Sequence, residues 1–196
     1  MLALRGLTMR EEIGRRVADA VDEVLPVAAK CIHRQLQFGH IVREIRLPRR
    51  MVSDEEAAAV HDDLDKLEAE ARAGKNNYRV AQRARRVLER YEQQKQSPEI
   101  PMELHLIRLG DMAFATNRFE LFLDYGIRIK ARSPAVQTFL IQLTANDGWD
   151  GTYLPSERAI ANRGYGGGVY DNEVGPEGGR VIVEETLKGL LELWGG

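Results

Sequence analysis

Three carboxylates in the second half of the sequence could transfer protons or bind a cation. Asp111 follows a glycine, Glu120 precedes an apolar run, and Asp124 lies within that run. Carboxylates serve as general acids and bases and as hard oxygen ligands for metal ions. The structural alternative is turn capping by Asp111 and a favourable charge near a helix N-terminus for Glu120. Local sequence physics favours the structural alternative.

Histidines are scarce, which limits the metal sites that local spacing can build. The sequence has four of them: His33, His40, His61 and His105. No two are separated by the short intervals typical of zinc ligands on one helix or turn. His61 falls in an acidic predicted helix and His105 in a predicted strand, where a structural role is the ordinary one. Local spacing therefore predicts no histidine-based metal site.

Searches for other catalytic motifs are negative. The sequence contains no GxSxG nucleophile elbow, no GxxxxGKS/T phosphate-binding loop and no HExxH metalloprotease motif. The run from Gly164 to Gly168 is rich in glycine, but it lacks the strand–turn–helix setting of a phosphate-binding loop. Nucleotide binding at this run is therefore not expected.

An ordered set of short motifs extends through the second half of the sequence. The set comprises Gly110-Asp111-Met112-Ala113, the run from Phe119 to Pro134, Thr138-Phe139, Ala145-Asn146 and Tyr153-Leu154-Pro155. Its order and spacing resemble the later part of the N-terminal catalytic domain of the neutral/alkaline (non-lysosomal) ceramidase family. The resemblance is best from Met102 to Trp194 and looser from Met9 to Pro48. It implies that residues 1–196 form a single domain, the C-terminal portion of such a catalytic domain or a shortened relative.

The resemblance implies a zinc-dependent amide hydrolase that acts on N-acyl sphingoid bases or similar amides. In such enzymes two His, one Glu and one Tyr hold a zinc ion that activates water. By resemblance the Glu ligand falls on Glu120, the Tyr ligand on Tyr153, and a second tyrosine, which hydrogen-bonds the substrate carbonyl and its oxyanion, on Tyr165. Carboxylate and phenolate oxygens are acceptable zinc ligands. We expect these three side chains to converge on one pocket.

Two departures from the family pattern affect this expectation. Arg118-Phe119 stands where the family has Pro-Gly, which places a cation near the expected metal position. The two His ligands of the family are not found in this sequence, so the chain alone is expected to have no appreciable amidase activity. Two functions stay open: a portion or shortened relative of a zinc amidase with a lipid amide as substrate, or a non-catalytic ceramidase-like domain that binds a ligand or partner.

Alternating and helical periodicities predict the elements that would position these residues. We expect an α/β fold with a mixed sheet flanked by helices. The run Thr138–Leu143 is apolar on both faces, which indicates an interior strand. The other predicted strands are Ile41–Leu47, Met102–Ile107 and Met112–Ala115. The predicted helices outside the hairpin are Met9–Gln37, which Pro26 should kink or split into two helices, Phe119–Ile129, Ser156–Arg163 and Val181–Trp194.

Residues 53–95 predict a charged helical hairpin inserted at the periphery. Ser53 and Glu56 have capping-box spacing, and Gly74 is a natural left-handed turn residue. Acidic side chains concentrate in the first arm and basic ones in the second. This segregation favours intramolecular charge pairing; the alternative is a basic surface for an anionic partner. Because its faces are charged, we expect the hairpin to be peripheral. Its deletion should leave the other half of the chain, which contains the sheet, folded.

Composition excludes several classes of protein. The chain has 28 Lys and Arg against 30 Asp and Glu, a net charge of −2, so no strongly basic domain for nucleic acid is present. Its single cysteine, Cys31, excludes a disulfide scaffold. No uninterrupted apolar stretch approaches the length of a transmembrane helix. Compartment and oligomeric state do not follow from the sequence.

Overall fold

The computed structural model describes residues 6–145 and 152–195, which fall into two compact units, Met1–Leu36 and Gln37–Gly196. The first unit contains helix α1 (Met9–Ala28). Its predicted capping box is present, since the Thr8 hydroxyl accepts from the Glu11 amide and the Glu11 carboxylate accepts from the Thr8 amide. The helix is shorter than predicted, and Pro26 lies inside its last turn without splitting it, although proline removes one backbone N–H donor.

The second unit has the predicted α/β fold with a mixed sheet. Strands β1 (Phe38–Pro48), β2 (Glu99–Leu109) and β3 (Met112–Thr116) are antiparallel neighbours, and β5 (Gln137–Ile141) runs parallel to β3, giving the order β1-β2-β3-β5. No helix in the described part of the chain is long and apolar enough to cross a membrane. The elements in chain order are β1 (Phe38–Pro48), α2 (Asp54–Arg72), α3 (Tyr78–Gln93), β2 (Glu99–Leu109), β3 (Met112–Thr116), β4 (Glu120–Leu121), α4 (Leu123–Arg132), β5 (Gln137–Ile141), β6 (Tyr153–Leu154), α5 (Glu157–Ala161) and α6 (Pro176–Leu193).

One face of the sheet packs against α4 and α6 and forms the main core. Side chains alternate along β2, so that Met102, Leu104 and Leu106 are buried while their neighbours are not. Val183 and Leu190 of α6 close this core from the other side. We call it the sheet cluster. A Cβ added at Gly179 would lie 2.2 Å from the ring of Tyr125, so close packing there requires glycine.

Three further predicted elements, all in the second unit, differ from the structure. The strand predicted as interior, β5, is an edge strand with Phe139 and Ile141 exposed. Helix α4 begins at Leu123 and not at Phe119, because the preceding residues pair with β6. Helix α6 begins at Pro176, earlier than predicted, because proline suits the first turn of a helix. Asn146 of the Ala145-Asn146 motif lies outside the described residues.

The hairpin formed by α2 and α3 has a small core of its own. Its capping box at Ser53 is present, and Gly74 adopts a φ of +86° at the turn, both as predicted. We call its core the hairpin cluster, and the loop after α5, residues 162–175, the site loop. Val169 and Tyr170 of the site loop pack against this cluster. The buried members of the hairpin cluster are Val52, Ala57, Val60, Ala84 and Val87.

Candidate functional site

A cavity of about 420 Å³ lies where the hairpin meets the site loop. Glu120, Tyr153 and Tyr165 all line it. The three residues expected to converge on one pocket therefore do so in the structure, although 45 positions separate the first from the last. Their roles as ligands or catalysts stay predictions. The hairpin contributes three arginines to the same lining: Arg83, Arg86 and Arg90.

The pairing of β4 with β6 brings Glu120 beside Tyr153. The two residues are direct partners in this parallel ladder. The Glu120 amide donates to the Thr152 carbonyl oxygen at 3.0 Å, and the Phe122 amide donates to the Leu154 carbonyl oxygen at 3.2 Å. Side chains of directly opposite strand residues project to the same face of a sheet. Glu120 is therefore positioned by a short strand. Local sequence physics had predicted a position near a helix N-terminus instead.

The site loop places Tyr165 against Tyr153. Their rings meet edge to face, with centroids 5.4 Å apart and planes at 70°. The next residue, Gly166, has a φ of +74°, and a Cβ there would lie 2.7 Å from Cγ of Tyr153. Only glycine allows this conformation and this close approach together. Tyr165 is 84% exposed, so its hydroxyl is accessible to a molecule that enters the pocket.

Hydrogen bonds control the ionisation of Tyr153. Its hydroxyl interacts with Tyr165 and with the carboxylate of Glu120, and these two hydrogen bonds raise the pKa of Tyr153. A phenol ordinarily ionises near pH 10, so Tyr153 is neutral at neutral pH. The neutral phenol donates to the Glu120 carboxylate. A cation bound close to the Tyr153 oxygen would lower this pKa and favour the phenolate at neutral pH.

Arg90 ties the hairpin to the site loop. Only 7% of its surface is exposed, and its Nη1 and Nη2 donate to the carbonyl oxygens of Asn172 (2.7 Å) and Val169 (3.0 Å). Burial lowers the pKa of Arg90 to about 10, which still leaves it charged at neutral pH. Asn172 in turn donates from Nδ2 to the carbonyl oxygens of Gly166 and Gly168. This network fixes the loop that carries Tyr165.

Arg118, whose positive charge was expected near the metal position, does not line this pocket. The Arg118 side chain is buried and donates to the carbonyl oxygen of Pro101 at 3.3 Å, and it lines a different pocket with His105. The expectation of a cation beside Glu120 was therefore wrong for this pocket, because the Arg118 guanidinium is held at Pro101 of β2. Asp124 likewise lies elsewhere, 3.2 Å from Arg158, and Asp111 lies in the turn between β2 and β3.

Two histidines of the second unit, His40 and His105, are not among the described residues that line the pocket of Glu120. His40 and His105 face each other across β1 and β2, with ring nitrogens 3.0 Å apart, and His105 contacts Glu103 at 2.8 Å. Sequence spacing missed this pair, because strand register sets it. Among the described residues, no group of three or more His, Cys, Asp or Glu side chains is arranged to hold a metal ion.

The donor chemistry at Glu120 and Tyr153 fits part of a zinc shell. Glu120 and Tyr153 are direct partners in the β4–β6 ladder, and both line the same pocket. These residues carry two hard oxygen donors of kinds that zinc accepts. A tetrahedral catalytic site normally uses three protein ligands and includes an imidazole. Glu120 and Tyr153 therefore fit as two members of a larger ligand set.

Sequence reasoning placed the arginines of the pocket in the basic arm of the hairpin, but favoured charge pairing with the acidic arm over a basic surface for an anionic partner. Arg83, Arg86 and Arg90 are spaced by three and four residues, which places them on one face of α3. That spacing was available as a signal, but the acidic arm of the hairpin offered a simpler partner for it.

Comparison with family models, with curated proteins and with solved structures finds no match to the chain.

Proposed function

We propose that the chain provides one side of a zinc-dependent amide hydrolase site similar to that of the neutral ceramidases. The observation that supports this is the convergence of Glu120, Tyr153 and Tyr165 on one pocket. The resemblance selected these three residues from distant parts of the sequence, and the structure brings the same three together. The class of reaction is hydrolysis of an N-acyl amide.

Each of the three side chains has a distinct part in this proposal. Glu120 and Tyr153 would hold zinc, which when bound polarises the amide carbonyl and acidifies a water molecule. The exposed hydroxyl of Tyr165 donates to the carbonyl oxygen, where negative charge develops during attack. Removal of one such donor typically lowers kcat by about 10²–10³-fold. Arg90 and Asn172 hold the loop that positions Tyr165.

A second candidate function is a non-catalytic domain that binds a ligand or partner through the same pocket. The observation that favours it is the incomplete ligand set, since the described residues bring no imidazole to Glu120 and Tyr153. The reading frame upstream of Met1 discriminates between the two. Two encoded histidines that complete the zinc shell would favour the hydrolase, and their absence would favour the binding module.

Amide hydrolysis in the protein expressed with its upstream coding sequence tests the proposal. With zinc and a fluorogenic N-acyl amide, Glu120→Gln should abolish turnover, and Tyr165→Phe should lower kcat by about 10²–10³-fold. Asp124→Asn is the matched control, because Asp124 pairs with Arg158 away from the pocket. Turnover by Glu120→Gln at the wild-type rate would contradict the proposal. The 196-residue chain alone should show no turnover with zinc, because two oxygen ligands hold the metal weakly.

A further inference from the structure

We propose that two copies of the chain associate edge to edge through β1, in the antiparallel register that sets Val42 opposite Val42 of the second copy. The sheet then continues from one copy into the other. Strand β1 lies at one end of the order β1-β2-β3-β5 and has one neighbour among the described strands. Its outer edge therefore presents backbone groups that another strand can bind. No residue of β1 belongs to the described lining of the pocket of Glu120, so the proposal does not depend on the proposed function.

Strand β1 lacks several devices that usually protect an edge strand. It runs for 11 residues in unbroken register with β2, without a bulge. Natural edge strands are commonly very short, bulged, or marked by lysine or proline. In β1 the only proline is Pro48 at the last position, and there is no lysine. Phe38 and Val42 are 67% and 50% exposed. A long, regular edge with exposed apolar side chains indicates a strand that another strand covers.

The backbone hydrogen bonds show which residues of β1 face outward. The Gly110 amide donates to the Gln37 carbonyl oxygen at 2.7 Å, and the Arg49 amide donates to the Pro98 carbonyl oxygen at 2.8 Å, one bond at each end of the β1–β2 ladder. Successive residues of an antiparallel strand alternate between bonding to the neighbour and pointing away from it. The odd-numbered residues of β1 therefore bond to β2, and the even-numbered ones direct their N–H and C=O groups outward. The outward residues are Phe38, His40, Val42, Glu44 and Arg46, all with exposed side chains.

One register of two antiparallel β1 strands uses all five outward residues. When Val42 lies opposite Val42 of the second copy, His40 lies opposite Glu44 and Phe38 lies opposite Arg46. Each pair joins two outward residues, so each can exchange two N–H···O bonds. A shift of the register in either direction loses at least one pair and no longer sets His40 opposite Glu44. The two-fold axis repeats every pair, which closes the assembly at two copies through this edge.

The side chains that meet in this register are complementary. The His40 imidazole can donate to the Glu44 carboxylate of the second copy, and the Arg46 guanidinium can lie over the Phe38 ring. Their contacts within one copy leave room for these pairs. His40 uses Nε2 toward His105, which leaves Nδ1 outside that contact. Glu44 and Arg46 lie 3.5 Å apart in an exposed pair of the kind that contributes little.

A proline at the centre of the edge tests the proposal on the full chain. Because the N–H of Val42 points outward, Val42→Pro removes a donor to the second copy and leaves the bonds between β1 and β2 in place. Sedimentation equilibrium should show a dimer for the wild type and a dissociation constant at least about tenfold higher for Val42→Pro. Val42→Thr is the matched control, because it keeps the N–H and the branched side chain, and it should dimerise like the wild type. Circular dichroism should show the same strand content in all three proteins.

Exchange of charge across the edge tests the register. His40→Glu sets two carboxylates opposite each other at both ends of the axis and should raise the dissociation constant by about three- to tenfold. The double variant His40→Glu/Glu44→Lys pairs opposite charges again and should restore the wild-type value. A double variant that dimerises as weakly as His40→Glu would overturn the proposed register.

Hydrogen exchange identifies the surface that the dimer uses. The amides of His40, Val42 and Glu44 should gain protection as the protein concentration rises, whereas those of Ile41 and Arg43 should be protected at every concentration. A chain that is monomeric at every concentration would leave this edge to a different strand and would overturn the proposal. A dimer that Val42→Pro does not weaken, or whose even-numbered β1 amides exchange freely, would also overturn it.

Discussion

The sheet cluster and the hairpin cluster differ in size and in how they hold their neighbours. Among the described residues, the sheet cluster contains 18 buried members and the hairpin cluster five. Helices α4 and α6 attach to the sheet through apolar contacts. The hairpin attaches to the site loop through the packing of Val169 and Tyr170 and also through polar contacts: Arg90 with two carbonyls and Tyr170 with Asp63. Stability and positioning of the pocket therefore reside in different parts of the second unit.

Deletion of residues 53–95 should separate stability from positioning of the pocket most completely, because it removes the hairpin and leaves the sheet cluster. Pro48 and Glu99 are direct partners at the ends of β1 and β2, so a short linker can replace the hairpin. We expect the shortened protein to unfold cooperatively in urea, because the sheet cluster is intact. The amides of the site loop should lose their protection from hydrogen exchange, because Arg90 is gone. Loss of all cooperative unfolding would show that the hairpin is not peripheral.

A truncation in the sheet cluster should have the largest effect of any single substitution. Leu106 is fully buried beneath α6, where a Cβ at Gly189 would touch it. Leu106→Ala should lower the free energy of unfolding by about 2–5 kcal/mol, measured in urea. The control is Leu123→Ala, at a side chain that is 76% exposed, with a change of about 0.5 kcal/mol or less. Similar losses in the two variants would contradict the assigned core.

Substitution of Arg90 should weaken the polar attachment of the hairpin to the site loop. Arg90→Met removes two hydrogen bonds from a buried cation to site-loop carbonyls, each bond worth about 1.5–3 kcal/mol. We expect faster hydrogen exchange in the site loop with little change in the sheet. Arg85→Met is the control, since its exposed pair with Glu68 is worth about 0–1 kcal/mol. Uniform loss of protection across the second unit would show that the two clusters are not separable.

A smaller effect should come from the hydroxyl of Tyr170. Burial and the hydrogen bond to Asp63 raise the pKa of Tyr170 to about 12, above the ordinary value near 10. The neutral hydroxyl is the form that donates, so its contribution is present below about pH 10 and is lost as the pH rises through about 12. Stability should therefore fall more steeply over this range in the wild type than in Tyr170→Phe. Burial also raises the pKa of Tyr125. Because Tyr125 is present in both proteins, its titration does not contribute to the difference between their pH profiles. Identical pH profiles would show that the Tyr170 contact contributes nothing.

Periodicity and capping predicted much of the fold, because they depend on near neighbours. The capping boxes at Thr8 and Ser53, the hairpin and the mixed sheet are all confirmed. The errors concern long-range pairing. The strand around Glu120 is two residues long and exists only because Tyr153-Leu154 pairs with it, so no local pattern could indicate it. The edge position of β5 likewise depends on which strands are present to cover it.

The pocket was predictable in part. Resemblance selected Glu120, Tyr153 and Tyr165, and the structure brings them together. The arginines were visible as a single helix face, but their partner depended on the tertiary path of the site loop. Asn172 carried no sequence signal, because its importance lies in hydrogen bonds to the carbonyls of Gly166 and Gly168.

The most direct test of the central claim is whether a metal ion ionises Tyr153 beside Glu120. Zinc is titrated into the full chain with imidazole in the buffer to supply nitrogen ligands, and tyrosinate is followed by its ultraviolet difference absorption. We predict a tyrosinate signal near neutral pH that Tyr153→Phe and Glu120→Gln both lose. Tyr78→Phe, at an exposed tyrosine at the start of α3, should retain it. No tyrosinate signal, or an undiminished signal in Glu120→Gln, would contradict the account.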